Sequence, residues 1–398
     1  MTRTTLCLAV TLVLVALSPA TADARAGDET IPGAPVNWAA SPSFEASMTG
    51  ATGDMWDIYP VYLEDGETYS FTMTLHSGNA GLRLFSPGTT DTRNTPAASA
   101  TPGTQLSGTA PQAGEWYVGV HASGPVTYGL TGWFKAPNDD LPGVALPNSP
   151  VTARLDSFSE WDNVYTVRLE RGESITAVLT VSGASPGFDP ELLLFAPGTT
   201  DLKSDELVAA RQISFPKTIT WTADRTGVYH LNVFHSSHSL SRQSGTAVLQ
   251  WSVSAPVHRF YNATSGTHFF TPAIEERNMV ISIWSNVFQY EGIAYTTQPH
   301  LNQRPLHRFY NRRSGSHFYT ADPTEAADVR ARWPHVFAYD GETYRVSVAG
   351  PPAAAVHRFY NVRNGSHFFT SSAEEAGTVR ARWPHIYRYE GIGFYTNP

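Results

Sequence analysis

The chain has 398 residues, of which 41% are hydrophobic, 12% aromatic and 16% charged, and its formal net charge at pH 7 is −8. This apolar content excludes a disordered or fibrous chain, and the length corresponds to roughly two to four domains. An acidic surface opposes binding to nucleic-acid phosphates, so no nucleic-acid partner is expected. Abundant Gly, Pro and aromatic residues favour short strands and turns over long solvated helices.

Residues 1–22 have the pattern of a secretory signal peptide. Arg3 supplies the positive charge, residues 6–17 form the apolar stretch, and the small residues 20–22 form a cleavage site. The stretch is shorter than the ~20 residues of a membrane-spanning helix, so we expect a secreted, extracellular protein with no membrane span. The one cysteine, Cys7, lies inside this segment, and the mature chain is therefore expected to contain no disulfide or thiolate site.

Three motifs occur twice, in the same order, between residues 23 and 256. Trp-Asp opens an alternating apolar strand at 56 and 161, L-x-L-F-x-P-G-T-T-D follows at 82–91 and 192–201, and a late strand occupies 114–120 and 227–233. This duplication predicts two β-sandwich domains, at 23–137 and 151–256. The Pro-rich segment 138–150 between them is predicted to be a semi-extended spacer.

The three-part pattern resembles the bacterial pre-peptidase C-terminal domain family, whose members are jelly-roll-like sandwiches appended to secreted hydrolases. The resemblance implies a jelly-roll-like fold for both copies. The acidic residues Asp54 and Asp57, and Glu160 and Asp162 in the second copy, are the calcium-like feature of these domains. Because Ca²⁺ takes 6–8 oxygen ligands and no loop carries a dense run of carboxylates, we expect solvated side chains and no metal site.

A longer motif occurs three times from residue 257 to the C-terminus. H-R-F-Y-N at 258–262, 307–311 and 357–361 precedes a Gly-containing loop and a second aromatic segment at 267–271, 316–320 and 366–370, which predicts a β-hairpin. A short helix is predicted next, with Asp322 and Ser372 as N-caps and only Ala273 at that place in the first copy. A last strand runs through Tyr-Glu-Gly or Tyr-Asp-Gly.

One such β-β-α-β unit cannot bury its aromatic face alone, so three units are expected to enclose a shared core. The predicted fold is mainly β: two jelly-roll-like β-sandwiches followed by a pseudo-threefold β-β-α-β repeat module at 257–398. The repeat resembles a family of unknown function found in secreted bacterial proteins, often beside extracellular hydrolases. That resemblance implies location and modular architecture, but no ligand.

Each repeat offers side chains suited to sugar binding, because aromatic faces pack on sugar rings while amide and imidazole groups hydrogen-bond hydroxyls. The candidate ligand-binding residues are Tyr261, Asn262, His268, Trp284, Tyr310, Asn311, His317, Trp333, Tyr360, Asn361, His367 and Trp383. One alternative is a scaffold in which the rings are core and the Asn residues form turns. Another is a His₃ metal site on the threefold axis.

Catalytic motifs are weak in this sequence. Residues 183–187 match G-x-S-x-G, but Pro186 lacks the backbone N–H that an oxyanion hole needs. We therefore predict no catalytic residues and no cofactor. The favoured function is a secreted, non-catalytic, multi-module protein that binds cell-wall or environmental polysaccharide. The alternatives are a structural or protein-binding extracellular factor and a hydrolase whose site is assembled from separated loops.

Overall fold

The structure is a computed structural model, and it describes residues 21–22, 30–38, 42–51, 54–101, 104–203, 205–235, 241–300, 304–347 and 354–396. The predicted signal segment, apart from its last two residues, lies outside the described residues. The described chain forms two β-sandwiches and a C-terminal module of three repeats, which confirms the mainly β fold class.

The first sandwich is built from two sheets that close over one core. Its described strands are, in chain order, β1 (Thr21–Ala22), β2 (Ser43–Met48), β3 (Trp56–Leu63), β4 (Thr68–Ser77), β5 (Ala80–Phe85), β6 (Ala98–Ala100), β7 (Gln105–Thr109), β8 (Gly114–Ala122) and β9 (Val126–Lys135). One sheet has the order β1-β2-β9-β4-β7 and the other β3-β8-β5-β6. Alternate residues of both sheets point inward, and Trp38, Phe71 and Trp116 are among the buried rings.

The second sandwich repeats this arrangement in all strands except the first, since β1 pairs with β2 whereas β10 pairs with β12. Its described strands are β10 (Val144–Ala145), β11 (Val151–Asp156), β12 (Asp162–Leu169), β13 (Ser174–Ser182), β14 (Glu191–Phe195), β15 (Glu206–Ala210), β16 (Lys217–Thr222), β17 (Gly227–Phe234) and β18 (Ser244–Asn262). The sheet β11-β18-β13-β16 corresponds to β2-β9-β4-β7, and β12-β17-β14-β15 corresponds to β3-β8-β5-β6. The two sandwiches therefore share the order of these eight strands.

The predicted spacer 138–150 is folded against the second sandwich, so the prediction that it spaces the two domains without packing is wrong. Val144 and Ala145 form β10, which pairs in parallel with β12. Val144 packs against the second core, and the buried Asn138 donates a hydrogen bond from Nδ2 to Oδ1 of Asn163 at 2.6 Å. The proline content predicted an extended backbone, but it did not indicate whether that backbone pairs with an edge strand of a sheet.

Strand β18 passes directly from the second sandwich into the C-terminal module. Up to Ser254 it pairs with β13, and from Ala255 onward it pairs with β20 (Phe288–Thr297) of the first repeat. The change of partners lies beside the predicted boundary at residue 257. Because one unbroken strand belongs to both bodies, the module is attached without an intervening loop.

Each repeat forms a three-stranded antiparallel sheet and one helix, as predicted. The remaining elements are β19 (Thr267–Thr271), α1 (Ile274–Ile283), β21 (Arg304–Asn311), β22 (Ser316–Thr320), α2 (Pro323–Arg332), β23 (Phe337–Val346), β24 (Ala354–Asn361), β25 (His367–Thr370), α3 (Ala373–Arg382) and β26 (Tyr387–Thr396). The H-R-F-Y-N strand is central in each sheet. The helices have ten residues each, and none in the described part of the chain is long and apolar enough to span a membrane.

The three repeats share a core on their common axis, as the repeat argument predicted. Phe270, Tyr319 and Phe369, one from each repeat, meet edge to face with centroid distances of 5.7–6.3 Å. The Tyr319 hydroxyl also donates a hydrogen bond to the Phe270 carbonyl at 3.1 Å. Each repeat adds a smaller cluster under its own helix, such as Phe309 and Val329 in the second.

The helix caps follow the sequence. Asp322 accepts hydrogen bonds from the backbone N–H groups of Thr324 and Glu325, and Ser372 accepts one from Glu375. Ala273 has nearly the same backbone conformation but no side-chain oxygen, so α1 begins without a side-chain cap. The three helices end at the repeated Trp positions, one residue before Pro334 and Pro384 in the second and third repeats.

Candidate functional site

The surfaces between neighbouring repeats carry most of the predicted site residues. Each junction is tied by an Arg from the H-R-F-Y-N strand that reaches the first helical turn of the neighbouring repeat. The three Arg–Glu pairs are Arg259 with Glu375 at 2.9 Å, Arg308 with Glu276 at 3.1 Å and Arg358 with Glu325 at 2.7 Å. Together they form a closed ring, in which every repeat contacts both others.

The repeated His of the second strand lies beside each Arg. His367 Nε2 is 3.3 Å from the Glu390 carboxylate, which also binds Arg358 at 3.1 Å. The imidazole packs on Phe318 of the preceding repeat with centroids 4.7 Å apart. The same contacts recur for His268 on Phe368 and for His317 on Phe269, at 5.0 Å each.

The repeated Trp residues are exposed, and two of them share a cleft with the His of a neighbouring repeat. Trp383 lines a cleft of about 660 Å³ together with His268 and Arg259, and Trp333 lines one of about 630 Å³ with His367 and Arg358. The Arg308–Glu276 and His317–Phe269 contacts build the third junction in the same way, on the side where Trp284 ends α1. The predicted Trp and His residues thus come together across repeat boundaries.

The predicted Tyr and Asn residues have different positions. Tyr261, Tyr310 and Tyr360 each lie on the neighbouring His of their own hairpin, with centroids 5.3–5.4 Å apart, and Tyr360 also lines the second cleft. The Asn residues are buried, and their Oδ1 atoms accept backbone N–H groups of the hairpin loop. These bonds join Asn262 to Thr264 and Ser265, Asn311 to Arg313 and Ser314, and Asn361 to Arg363. Asn262, Asn311 and Asn361 therefore form turns, as the scaffold alternative proposed, and Asn311 also lines the second cleft.

The histidines do not converge into a His₃ site. Among the described residues, no three His side chains offer nitrogen atoms within 4.8 Å of one another. The first His of each repeat binds instead a Tyr hydroxyl of its own sheet, as His258 Nδ1 does with Tyr290 at 2.8 Å. Each imidazole has a separate local role, and the alternative of a metal site on the axis is wrong.

The protonation states of the carboxylates and imidazoles at these junctions depend on the side chains that contact them and on burial. The hydrogen bond from His367, with the positive charge of Arg358 nearby, lowers the pKa of Glu390 to about 2. The bond from His268 lowers the pKa of Glu291 in the same way. Burial, followed by the charge of Arg308, lowers the pKa of His317 to about 4. At neutral pH Glu291 and Glu390 are therefore ionised acceptors in the two clefts, and His317 at the third junction is neutral.

Sequence reasoning missed the Arg and Glu residues that hold the repeats together. Arg259, Arg308 and Arg358 stand at the same place in every repeat, as do Glu276, Glu325 and Glu375 at the start of the helices. This repetition was the available signal. The pairing itself could not be inferred from it, since the partner of each residue lies in another repeat.

The acidic residues of the sandwiches are less exposed than predicted. Asp57 and Glu160 are each only 1% exposed, and Tyr128 donates a hydrogen bond from its hydroxyl to Asp57. Asp162 accepts a bond from Asn232 at 2.6 Å, and the half-buried loop residue Asp54 accepts one from the Thr49 hydroxyl. The expectation of solvated carboxylates is therefore wrong for Asp57 and Glu160, because both lie beneath other chain segments.

Comparison with known families gives two matches. Residues 56–122 match the bacterial pre-peptidase C-terminal domain, which fits an extracellular protein. Residues 222–336 and 256–397 match a domain of unknown function, DUF5648. The likeness of the second sandwich to the pre-peptidase family and the wider repeat-family resemblance remain predictions. No curated protein matches the chain.

Solved structures show only distant likeness. One is PliG of Aeromonas hydrophila, a periplasmic inhibitor of g-type lysozyme, at 12% identity and a TM-score of 0.20, covering 27% of this chain and 97% of PliG. Another is the CUB1-EGF-CUB2 fragment of human MASP-1/3, at 8% identity and a TM-score of 0.17, covering 53% of this chain and 100% of the fragment. Scores this low support no conclusion on fold or function.

Proposed function

We propose that this protein is a secreted, non-catalytic binding protein that attaches to cell-wall or environmental polysaccharide through related clefts between its three C-terminal repeats. One observation carries the proposal. The repeated indoles remain exposed, at 43% for Trp284, 44% for Trp333 and 41% for Trp383, although the rings around the axis are buried. A folding unit alone gives no reason to keep its largest apolar side chain in solvent three times.

The cleft chemistry suits a sugar. An indole offers a flat apolar face for a sugar ring, and the ionised Glu291 beside Trp383 accepts hydrogen bonds from hydroxyls. The cleft volume of about 660 Å³ lies within the ~300–1,000 Å³ of ordinary ligand pockets. Because Arg259 is already bound by two carboxylates at 2.8 and 2.9 Å, its charge is compensated and the cleft does not favour an anionic ligand.

The same groups support binding over hydrolysis. Glycoside hydrolysis requires one carboxyl group that stays protonated near neutral pH, which means a raised pKa. The shifts resolved in these clefts go the other way, since hydrogen bonding lowers the pKa of Glu390 to about 2 and also lowers that of Glu291. Ionised acceptors held by Arg and His position hydroxyl groups without transferring protons.

Several weak clefts on one module are enough for firm attachment. After one cleft binds a polymer, the others meet it at a high effective concentration, and the overall affinity exceeds that of any single cleft. The arrangement is rigid enough for this effect, because the Arg–Glu ring links all three repeats and β18 continues into the sandwich.

The test is retention of the full-length mature protein on insoluble peptidoglycan and chitin. The triple variant Trp284→Ala/Trp333→Ala/Trp383→Ala should lose at least tenfold in retention. The matched control is Trp133→Ala, which removes a 55% exposed indole from the first sandwich and should leave retention unchanged. Equal retention of wild type and the triple variant, or recovery of an extracellular protein partner with no polysaccharide retained, would contradict the proposal.

A further inference from the structure

A group of two buried carboxylates and one half-buried carboxylate lies where the two sandwiches meet. Glu67 comes from the turn between β3 and β4, Asp139 from the connecting segment, and Glu160 from the loop between β11 and β12. One carboxylate oxygen of each lies within 4.8 Å of the others. Glu67 is 0% exposed and Glu160 1% exposed, so water is largely excluded from this group.

Two of these carboxylates leave an oxygen unsatisfied. Glu67 Oε2 accepts a hydrogen bond from the backbone N–H of Glu64 at 2.6 Å, whereas Glu67 Oε1 is buried with no hydrogen-bond partner among the described residues. Asp139 Oδ2 similarly accepts from the Ala136 N–H at 2.6 Å, and its buried Oδ1 has no described partner. A buried oxygen acceptor without a partner costs free energy in a folded protein.

The surroundings add negative charge instead of compensating it. Glu64 and Asp162 are also close enough to act on the group. The nearby cations offset little of this charge. Lys135 lies 3.9 Å from Asp140 and counters only part of the effect of burial on Asp139, and Arg154 stacks on the Tyr62 ring and binds Ser244. Burial raises the pKa of Glu67 to about 8 and that of Asp139 to about 7.

The second sandwich contains an internal comparison. Glu173 occupies the place of Glu67, and its Oε2 accepts a hydrogen bond from the Glu170 N–H at 2.8 Å to close the same turn. In the described part of the chain, Glu173 belongs to no carboxylate cluster like that of Glu67. Closing the turn therefore accounts for one oxygen of Glu67, but not for the acidic groups that lie close to its carboxylate.

We propose that Glu67, Asp139 and Glu160 bind one Ca²⁺ ion that links the two sandwiches. Ca²⁺ is a hard cation that takes oxygen ligands in flexible geometry, and carboxylates bind it through one or both oxygens. A cleft of about 240 Å³ gives entry from solvent, and it is lined by Trp38, Trp133, Asp139, Glu160 and Trp161 among others. The ligands come from two domains and their connector, so neither sandwich alone makes the site. This inference does not depend on the proposed function.

The test compares the thermal midpoint of the full-length mature protein in chelator and in millimolar Ca²⁺. Wild type should gain about 5 °C with Ca²⁺. Glu67→Gln should lose that gain, and in chelator it should match wild type, because Gln keeps the side-chain volume and its amide oxygen can accept the Glu64 N–H in place of Oε2. Glu173→Gln, the turn-closing control, should keep the full Ca²⁺ gain, as should Asp65→Asn, which removes an exposed charge from the Glu67 turn.

Binding is measured in parallel by equilibrium dialysis with Ca²⁺, where wild type should bind one ion per chain and Glu67→Gln none. Folded wild type that binds no Ca²⁺ and shows no change in midpoint would overturn the proposal. So would Glu67→Gln keeping the full Ca²⁺ gain, or losing the same stability in chelator as in Ca²⁺. The last result would identify Glu67 as a protonated structural carboxyl group.

Discussion

Arg259 of the first repeat binds Glu375 of the third, with Nη1 and Oε2 2.9 Å apart across 116 residues of chain. This contact closes the module, because the other two Arg–Glu pairs join repeats that are consecutive in sequence. The Arg guanidinium also binds Glu291 of its own repeat at 2.8 Å. The ring of Arg–Glu pairs therefore fixes both the order of the repeats and the walls of the clefts between them.

Removing an Arg of this ring should destabilise the module. Arg308→Ala leaves Glu276 and Asp340 without their partner in a half-buried junction, and breaking such a buried pair costs about 3 kcal/mol. Urea unfolding at neutral pH measures the loss. Arg93→Ala is the control, because that Arg is 89% exposed and its removal should have no measurable effect. Equal stability of the two variants would show that the ring contributes nothing.

The hydroxyl of Tyr319 on the threefold axis should contribute about 1 kcal/mol to the free energy of unfolding. It accepts from the Phe270 N–H and donates to the Phe270 carbonyl, both at 3.1 Å, so Tyr319→Phe leaves two buried backbone groups without that partner. Calorimetry should show a lower midpoint for this variant. A midpoint at or above that of wild type would mean that the hydroxyl is only tolerated in the core.

The missing cap of α1 offers a gain in stability. The Ala273 backbone, at φ −70° and ψ 116°, nearly matches the capped Asp322, at φ −85° and ψ 113°. Ala273→Ser should therefore add about 0.5–1 kcal/mol, while Ser372→Ala should remove about as much. Thermal midpoints of the two variants give the comparison. A loss of stability in Ala273→Ser would show that the first repeat cannot accommodate a capped helix.

Acid should weaken the module through His317. Burial and the Arg308 charge lower the pKa of this imidazole to about 4, so the folded state stays neutral while the unfolded state takes up a proton near pH 6.5. The contribution of the neutral imidazole is therefore complete above pH 6.5 and is lost as the pH falls towards 4. The other charged groups facing His317 are Asp340 and Glu276.

Between neutral and acid pH, the free energy of unfolding should accordingly fall less in His317→Gln than in wild type, by on the order of 2 kcal/mol. The measurement is urea unfolding of wild type and variant at pH 7.5 and pH 4.5. His335→Gln, an exposed His of the same repeat, should keep the wild-type pH dependence. Identical pH dependence in wild type and His317→Gln would show that another group controls the acid response.

The sequence predicted the secondary-structure elements and the threefold repeat better than it predicted the candidate binding site. Hydrophobic alternation, repeated turns and N-cap residues predicted the sandwiches, the β-β-α-β unit and the caps at Asp322 and Ser372, because these depend on local patterns. The cleft that Trp383 and His268 line together could not be predicted, since the two residues come from different repeats and only the packed module brings them together. The same reason applies to Glu67 and Glu160, which meet only when two domains pack.

The spacer prediction failed for a related reason. A Pro-rich composition favours an extended backbone, and an extended backbone is also what a sheet edge accepts. Val144 and Ala145 pair with Tyr165 and Thr166, a contact that composition does not encode. Asp139 is held in the same segment, so the connector that was predicted to separate the domains supplies a ligand of the inferred Ca²⁺ site.

The most direct test of the central claim is a stepwise series of tryptophan variants of the full-length mature protein, measured by co-sedimentation with insoluble peptidoglycan and chitin. Replacing one, two and then all three of Trp284, Trp333 and Trp383 by Ala should weaken binding several-fold at each step, whichever indole is removed first. If even the triple variant binds as well as wild type, the claim that three related clefts bind the polysaccharide is contradicted. Complete loss from one particular indole, with no effect from the other two, would contradict them equally.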